Sequence, residues 1–242
     1  MLYDSQRIKW WRKRSSSREY QVAYANIVRI IHGVGGTLVD VGCGNGRLMK
    51  KALPYFDKII GTDTSDEMIF LTNKKTNKNP KVELVKDNIL FSKLESEIAD
   101  TTTLTFPELS FAGEYNEDDK KFDEKLLEFY FSILPDSRNL SDEQTTRIIF
   151  EFRRDYNLAR ITKTGGYFIS AEYDTFCSND GEDPRLEFYS FAYRNFGLEL
   201  ELARYFESPA IFSDIEDSRD SEEGLKKGYS VMAFKKFEHK LL

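Results

Sequence analysis

The chain has 242 residues, of which 40% are hydrophobic and 31% charged, enough for one α/β domain with a sizeable core. No run approaches the roughly 18 uninterrupted apolar residues of a membrane helix, and the segment from Met1 to Arg7 lacks the apolar core of a signal peptide. A net charge of −6 weighs against a protein that tracks phosphates over its whole surface, and two histidines leave little material for a His-rich metal site or a Ser-His-Asp triad. Two cysteines, Cys43 and Cys177, make no disulfide framework, so a reducing cytoplasm is expected.

In chain order, residues 18–32 place Tyr20, Ala23, Tyr24, Ile27, Val28 and Ile31 on one helical face, and Gly33 with Gly35-Gly36 ends that helix. Residues 37–41 read as a buried strand, 46–53 as a helix and 58–63 as a second strand. Thr64-Ser-Asp-Glu67 reads as a capping box opening a helix that runs to about Asn73. Residues 82–87 and 100–106 are the third and fourth strands, the latter favoured by its threonines. Amphipathic helices follow over 120–134 and from a Ser141-Asp-Glu-Gln144 cap to about Ile161. Lys163–Gly166 reads as a turn into a fifth strand over 167–171, and 198–205 and 229–234 as two more strands joined by an acidic loop. Alternating strands and helices predict a Rossmann-like α/β sandwich of three layers. Its mostly parallel seven-stranded sheet ends in an antiparallel pair. A single domain over 1–242 is expected, with 1–32 as an N-terminal lid and helix and 107–140 as a substrate-side insert.

In open α/β sheets ligands bind beyond the carboxyl ends of the strands. At the first such end, Asp40 precedes Gly42-Cys43-Gly44-Asn45-Gly46, where glycines let the backbone approach a ligand and allow positive φ. Asp40 suits a cationic ammonium, Asp63 at the second end suits the two hydroxyls of a ribose, and Asp87-Asn88-Ile89 at the third suits an adenine. Ammonium, ribose and adenine together describe S-adenosylmethionine. A dinucleotide fits less well: the third glycine comes one residue early for G-x-G-x-x-G, and Asp40 would repel a pyrophosphate. Cys43 reads as a small loop residue, not a nucleophile.

Leu38–Gly46 resembles the first motif of the class I methyltransferase superfamily, and Gly61–Met68 is similar to its second. That resemblance implies S-adenosyl-L-methionine as cofactor, Asp63 at the ribose, Met68 packed near the adenine, and Thr64 among the cofactor-binding residues. Lys86–Ile89 is similar to the third motif without its usual small residue, and Ile161–Ile169 matches the turn before strand five with Thr164 in place of proline. On the acceptor side, Phe106 is expected as a wall near the transferred methyl and Pro107 and Glu108 as substrate contacts, Glu108 being the candidate base. Phe106–Phe111 departs from the Asn/Asp-Pro-Pro-Tyr/Phe pattern of enzymes that methylate nucleic-acid amino groups.

The acidic run from Glu114 to Glu124 is expected to be solvated. Its helix, with Tyr115 beside it, is expected to cover the pocket. Trp10, Trp11 and Tyr20 are further substrate-side candidates: Lys9–Arg18 reads as an arm that packs as a lid or, alternatively, stacks RNA bases. The first expectation for the acceptor is a small molecule, the alternatives being RNA or protein, or a cofactor-binding module without catalysis. No metal and no membrane partner is expected.

Overall fold

The structure, a computed structural model, describes residues 5–106, 115–133, 140–177, 193–207 and 225–238. Helix α1 (Ser5–Arg14) and helix α2 (Arg18–Ile31) precede strand β1 (Thr37–Val41). Then come α3 (Arg47–Ala52), β2 (Lys58–Asp63), α4 (Asp66–Lys75), β3 (Val82–Lys86), a 3-10 turn at Ile89–Phe91 and β4 (Ala99–Thr105). Helices α5 (Glu117–Ile133) and α6 (Asp142–Ile161) lead to β5 (Thr162–Cys177), β6 (Leu198–Glu207) and β7 (Leu225–Lys236).

The strands form one sheet in the order β3-β2-β1-β4-β5-β7-β6. Strands β1 to β5 pair in parallel, and β7 runs antiparallel between β5 and β6, so six strands point one way and β7 the other. Order reverses between β1 and β4, which opens a crevice at their carboxyl ends. One face packs on α2, α3 and Met68 of α4, the other on α5, α6 and the 3-10 turn. Tyr20, Ala23, Tyr24, Ile27, Val28 and Ile31 of α2 are all buried, as their spacing predicts. Burial of each large apolar side chain there contributes about 1.5–3 kcal/mol.

Several local expectations shift. The cap of α4 is Ser65 and not Thr64: its hydroxyl accepts from the Met68 N–H, so the helix starts one residue later than a Thr64–Glu67 box requires. Lys163–Gly166 is not a separate turn but the start of β5, with a register shift against β4 between Ala99 and Thr101. Gly166 is held there because a Cβ would lie 2.8 Å from the Asp100 carbonyl oxygen. Of the segment Lys9–Arg18 read as an arm, residues 9–14 are the end of helix α1 and Arg18 opens α2. The acidic run is not wholly solvated: Asp123 is buried and, with Asp119, pairs with Arg153 of α6. The acidic loop between β6 and β7 lies outside the described residues.

Candidate active site

The carboxyl ends of β1, β2 and β4 and the turn after β3 line a cleft that is open to solvent on one side. Its floor is the turn after β1. Gly42 and Gly44 have φ of +65° and +53°; a Cβ built at Gly42 would stand in open space, and one at Gly44 would meet only the Gly42 carbonyl oxygen, at 4.0 Å. The turn is tied to its neighbours by three bonds. The Cys43 N–H donates to the Thr62 carbonyl (2.8 Å), the Gly44 N–H to Asp63 Oδ2 (2.9 Å) and the Thr72 hydroxyl to the Gly44 carbonyl (2.6 Å). Gly46 has a different duty. It is absent from the cleft lining and lies against α4, where a Cβ would come within 2.6 Å of Thr72 Cγ2.

Asp40 is the most informative side chain. It is 1% exposed; Oδ1 accepts from the Thr103 hydroxyl at 2.8 Å, while the buried Oδ2 has no hydrogen-bond partner. Burial, with Asp63 as a further negative neighbour, pushes its carboxyl up to about 7, against the lowering bond from Thr103. A buried carboxylate oxygen without a donor is costly unless a donor arrives. Asp63 is also raised by burial, against lowering backbone hydrogen bonds from Ser65 (to Oδ1, 2.9 Å), Gly44 (to Oδ2) and Thr64.

At the third strand end, Asp87, Asn88 and Ile89 line the cleft. Asp87 Oδ1 accepts from the Lys93 N–H at 3.2 Å, and Asn88 Oδ1 accepts from the Leu90 N–H at 3.1 Å as cap of the 3-10 turn. Asn157 of α6 holds the turn from behind, donating to the Ile89 carbonyl at 2.7 Å. Met68 and Thr64 complete the expected set. Cys43 is buried, with its thiol pushed well up by burial and by Asp40 and Asp63, which removes it as a nucleophile at neutral pH.

At the other end of the cleft Phe106 and Tyr24 form an aromatic wall. Phe106 has φ of +49°, the left-handed region that costs a non-glycine residue about 1 kcal/mol. It is fixed there by edge contacts with Tyr20 (5.2 Å), Tyr24 (6.2 Å) and Tyr229 (5.8 Å) and by its N–H donating to the Ala171 carbonyl.

The N-terminal helices close the same side. Ser15 lines the cleft and its hydroxyl accepts from Asn45 Nδ2 at 2.7 Å, while the Ser16 hydroxyl accepts from Arg47. Spacing alone missed Ser15, Tyr24, Val41, Leu48, Thr62, Leu104 and Thr105 in the lining; for Tyr24 the sequence carried a signal, as an inward helix position.

The acceptor-side candidates are not gathered in one place. Tyr20 is fully buried behind Phe106, its hydroxyl accepting from Arg14 Nε at 2.6 Å. Trp10 packs partly buried on the core with the Arg14 guanidinium 4.6 Å over its ring. Tyr115 is outside the lining: its hydroxyl donates to Asp123 at 2.7 Å and its ring stands beside Phe91. Helix α5 contributes nothing to the cleft lining among the described residues, so the expected cover is absent there; α5 packs instead on α6 and the 3-10 turn. Pro107, Glu108 and the Trp11 side chain lie outside the described residues.

A cleft at the sheet's switch point, walled by Asp40, Asp63 and Asp87 behind a glycine turn, is the site of a Rossmann-like class I methyltransferase fold. Residues 38–122, which carry the site, match the family model described as "Methyltransferase domain". Over 59 residues the chain is 37% identical to the probable S-adenosylmethionine-dependent methyltransferase CRG1 of Saccharomyces cerevisiae, a match covering 24% of this chain and 20% of that protein.

Similar solved structures include the putative methyltransferase in complex with the Trm112 activator of Haloferax volcanii (TM-score 0.58, 16% identity, 97% and 95% of the two chains). The N-methyltransferase NodS of Bradyrhizobium japonicum with S-adenosyl-L-homocysteine is another (0.55, 12%, 96% and 98%). So is the [4+2]-cyclase SpnF (0.57, 14%, 90% and 81%). These likenesses show the fold. The residues present fit the cofactor: the orphaned Asp40 oxygen suits an ammonium, and the open positions over Gly42 and Gly44 leave room for a ligand against the backbone.

Proposed function

We propose that this chain transfers the methyl group of S-adenosylmethionine to an acceptor admitted at the aromatic end of the cleft. The observation that carries this is Asp40 Oδ2, buried without a donor in the same cleft as Asp63. Bound there, the cofactor supplies a methyl already activated by its sulfonium. The chain's own task is to hold and orient. Asp40 accepts from the ammonium, Asp63 from the ribose hydroxyls, and Asp87 with the Asn88–Ile89 turn faces the adenine. Tyr24 and Phe106 exclude water beside the reacting centre, and positioning of this kind can lower a barrier by several kcal/mol.

Calorimetric titration tests the reading: S-adenosylhomocysteine binds in the micromolar range and NADH does not. Asp63→Ala weakens that binding at least ~10-fold, through the loss of hydrogen bonds to a charged group. Binding of NADH alone overturns the cofactor, and unchanged affinity in the variant overturns the ribose assignment.

For the acceptor, the aromatic wall and the confined cleft favour a small molecule, or one group of a larger one projected inward. RNA is the second reading, favoured by a cationic face beside the cleft. Labelled cofactor offered to fractionated metabolites, RNA and protein separates these. Binding of cofactor with no labelled product in any fraction would mark a non-catalytic module, a reading that the likeness to a cyclase keeps in view. A reducing cytoplasmic setting is proposed from the buried free thiol of Cys43. Among the described residues no helix is long and apolar enough to cross a membrane.

A further inference from the structure

The charges of this acidic chain are sorted by face. Helix α1, Ser5–Arg14, carries five cationic residues and no acidic one, and α3, Arg47–Ala52, carries three and none. Helix α4 ends in Lys74 and Lys75, its acidic residues Asp66 and Glu67 lying in the first turn, where Asp66 pairs with Lys86. The fold brings these cationic ends together at the glycine turn. Arg47 donates to the Ser16 hydroxyl, just beyond Arg12 to Arg14, and Lys50 follows Arg47 on the same side of α3. Thr72 packs on Gly44 and Gly46, which sets Lys75, one turn further along α4, beside α3. Lys75 is half-buried, and burial together with Arg47, Lys50 and Arg12 pulls its ammonium down to about 8. Among the described residues, no ion pair involves Arg12, Arg47, Lys50 or Lys75. On α4's outer surface, Phe70 stands 65% exposed one turn before Lys74.

We propose that the face formed by α1, α3 and the C-terminal end of α4 is a docking surface for the phosphodiester backbone of RNA. Mutually repelling cations that no carboxylate among the described residues neutralises match a polyanion, and their spread over three helices exceeds what a single phosphate needs. Phe70 offers an exposed ring on which a base can stack. A lipid surface fits less well. Trp10, which would anchor α1 in a bilayer, is packed on the core beneath Arg14. The surface adjoins the cleft, because Ser15 lines it while its neighbour Ser16 is held by Arg47. The inference builds on the RNA reading of the acceptor, although docking itself can be measured without methyl transfer.

The test is fluorescence polarisation of the full chain with a labelled single-stranded RNA of about 20 nucleotides. Four phosphate contacts predict affinity falling about 20-fold as salt rises from about 50 to about 150 mM. Arg12→Glu with Lys50→Glu, both exposed, should weaken binding at least ~10-fold. The milder Arg12→Gln with Lys50→Gln should roughly halve the salt slope. Neither pair should alter S-adenosylhomocysteine affinity, which reports on folding. Absence of RNA binding at low salt, or binding indifferent to both pairs, overturns the proposal. So does retention on phosphatidylserine vesicles without retention of RNA. RNA binding without S-adenosylhomocysteine binding would refute the cofactor reading and leave the surface standing; the converse refutes only the surface.

Discussion

Asp40 and Phe106 are both held in unfavourable states beside the cleft, one in charge and one in backbone. With its carboxyl raised from 3.8 to about 7, Asp40 binds a proton more tightly folded than unfolded. Its contribution to stability is therefore fully present below about pH 4 and is lost as pH rises through about 7. Asp40→Asn removes that penalty. The variant without ligand should be more stable than the parent at pH 8, by up to about 4 kcal/mol, with the difference closing toward pH 4. Thermal melts across that range check it. The same substitution should weaken S-adenosylhomocysteine binding at least ~10-fold at pH 8, because an amide replaces the carboxylate facing the ammonium. The parent's own affinity should fall as pH drops below about 7 and Asp40 protonates. Stability lowered at pH 8 with affinity retained would show that Asp40 serves the fold and not the ligand.

At the scale of elements, the 3-10 turn after β3 is positioned from behind by α6. Arg153, 2% exposed, pairs with Asp123 and Asp119 of α5, donates to the Leu90 carbonyl at 3.2 Å and lies 4.9 Å over the Phe91 ring. One side chain thus joins α5, α6 and the 3-10 turn. Arg153→Ala leaves Asp123 buried without its cation, which costs roughly 3–5 kcal/mol. Denaturant unfolding should show that loss, and hydrogen exchange should rise in α5 and at residues 88–91. Joining α3 to α4, Gly46→Ala forces a Cβ onto Thr72 at a φ of +73°; a loss of about 1–3 kcal/mol is expected, with weaker cofactor binding as the turn shifts. An unchanged melting temperature in that variant would mean that the close approach to α4 is not required.

For the whole molecule, a ligand that binds only the folded chain adds about 2.7 kcal/mol at a hundred times its Kd. For a chain of this length that raises Tm by roughly 5–10 °C. S-adenosylhomocysteine should produce such a rise and NADH none, as read by scanning calorimetry. Charge is polarised at the same scale. The cationic helices α1 and α3 lie on the side of the sheet packed by α2, and the acidic start of α5 lies on the other. The net charge of −6 gives no sign of this, because it also sums the acidic segments that lie outside the described residues.

The sequence by itself determined the fold class and most of the residues that line the cleft. Short apolar runs bounded by turns locate β1 and β2 to the residue, and a period of 3.6 locates α2 to within one, because the two strands are buried along their length and α2 along one face. Asp40, Gly42, Gly44 and Asp63 were legible because a strand end followed by a glycine turn is a local motif, fixed by backbone sterics over a few residues. Tertiary structure alone decided the rest. Gly46 serves packing, since its neighbour Thr72 is 26 residues away in the chain. Arg153, Arg154 and Asp155 are buried charges that amphipathic spacing assigns to solvent, and they are tolerated through partners, which for Arg153 come from α5. Tyr115 and α5 belong to that cluster and not to the cleft. Ser15 and Tyr24 reach the cleft only because α1 and α2 fold back over the glycine turn. Long-range contacts of this kind leave no periodic trace in the chain, whereas the ends of buried strands do.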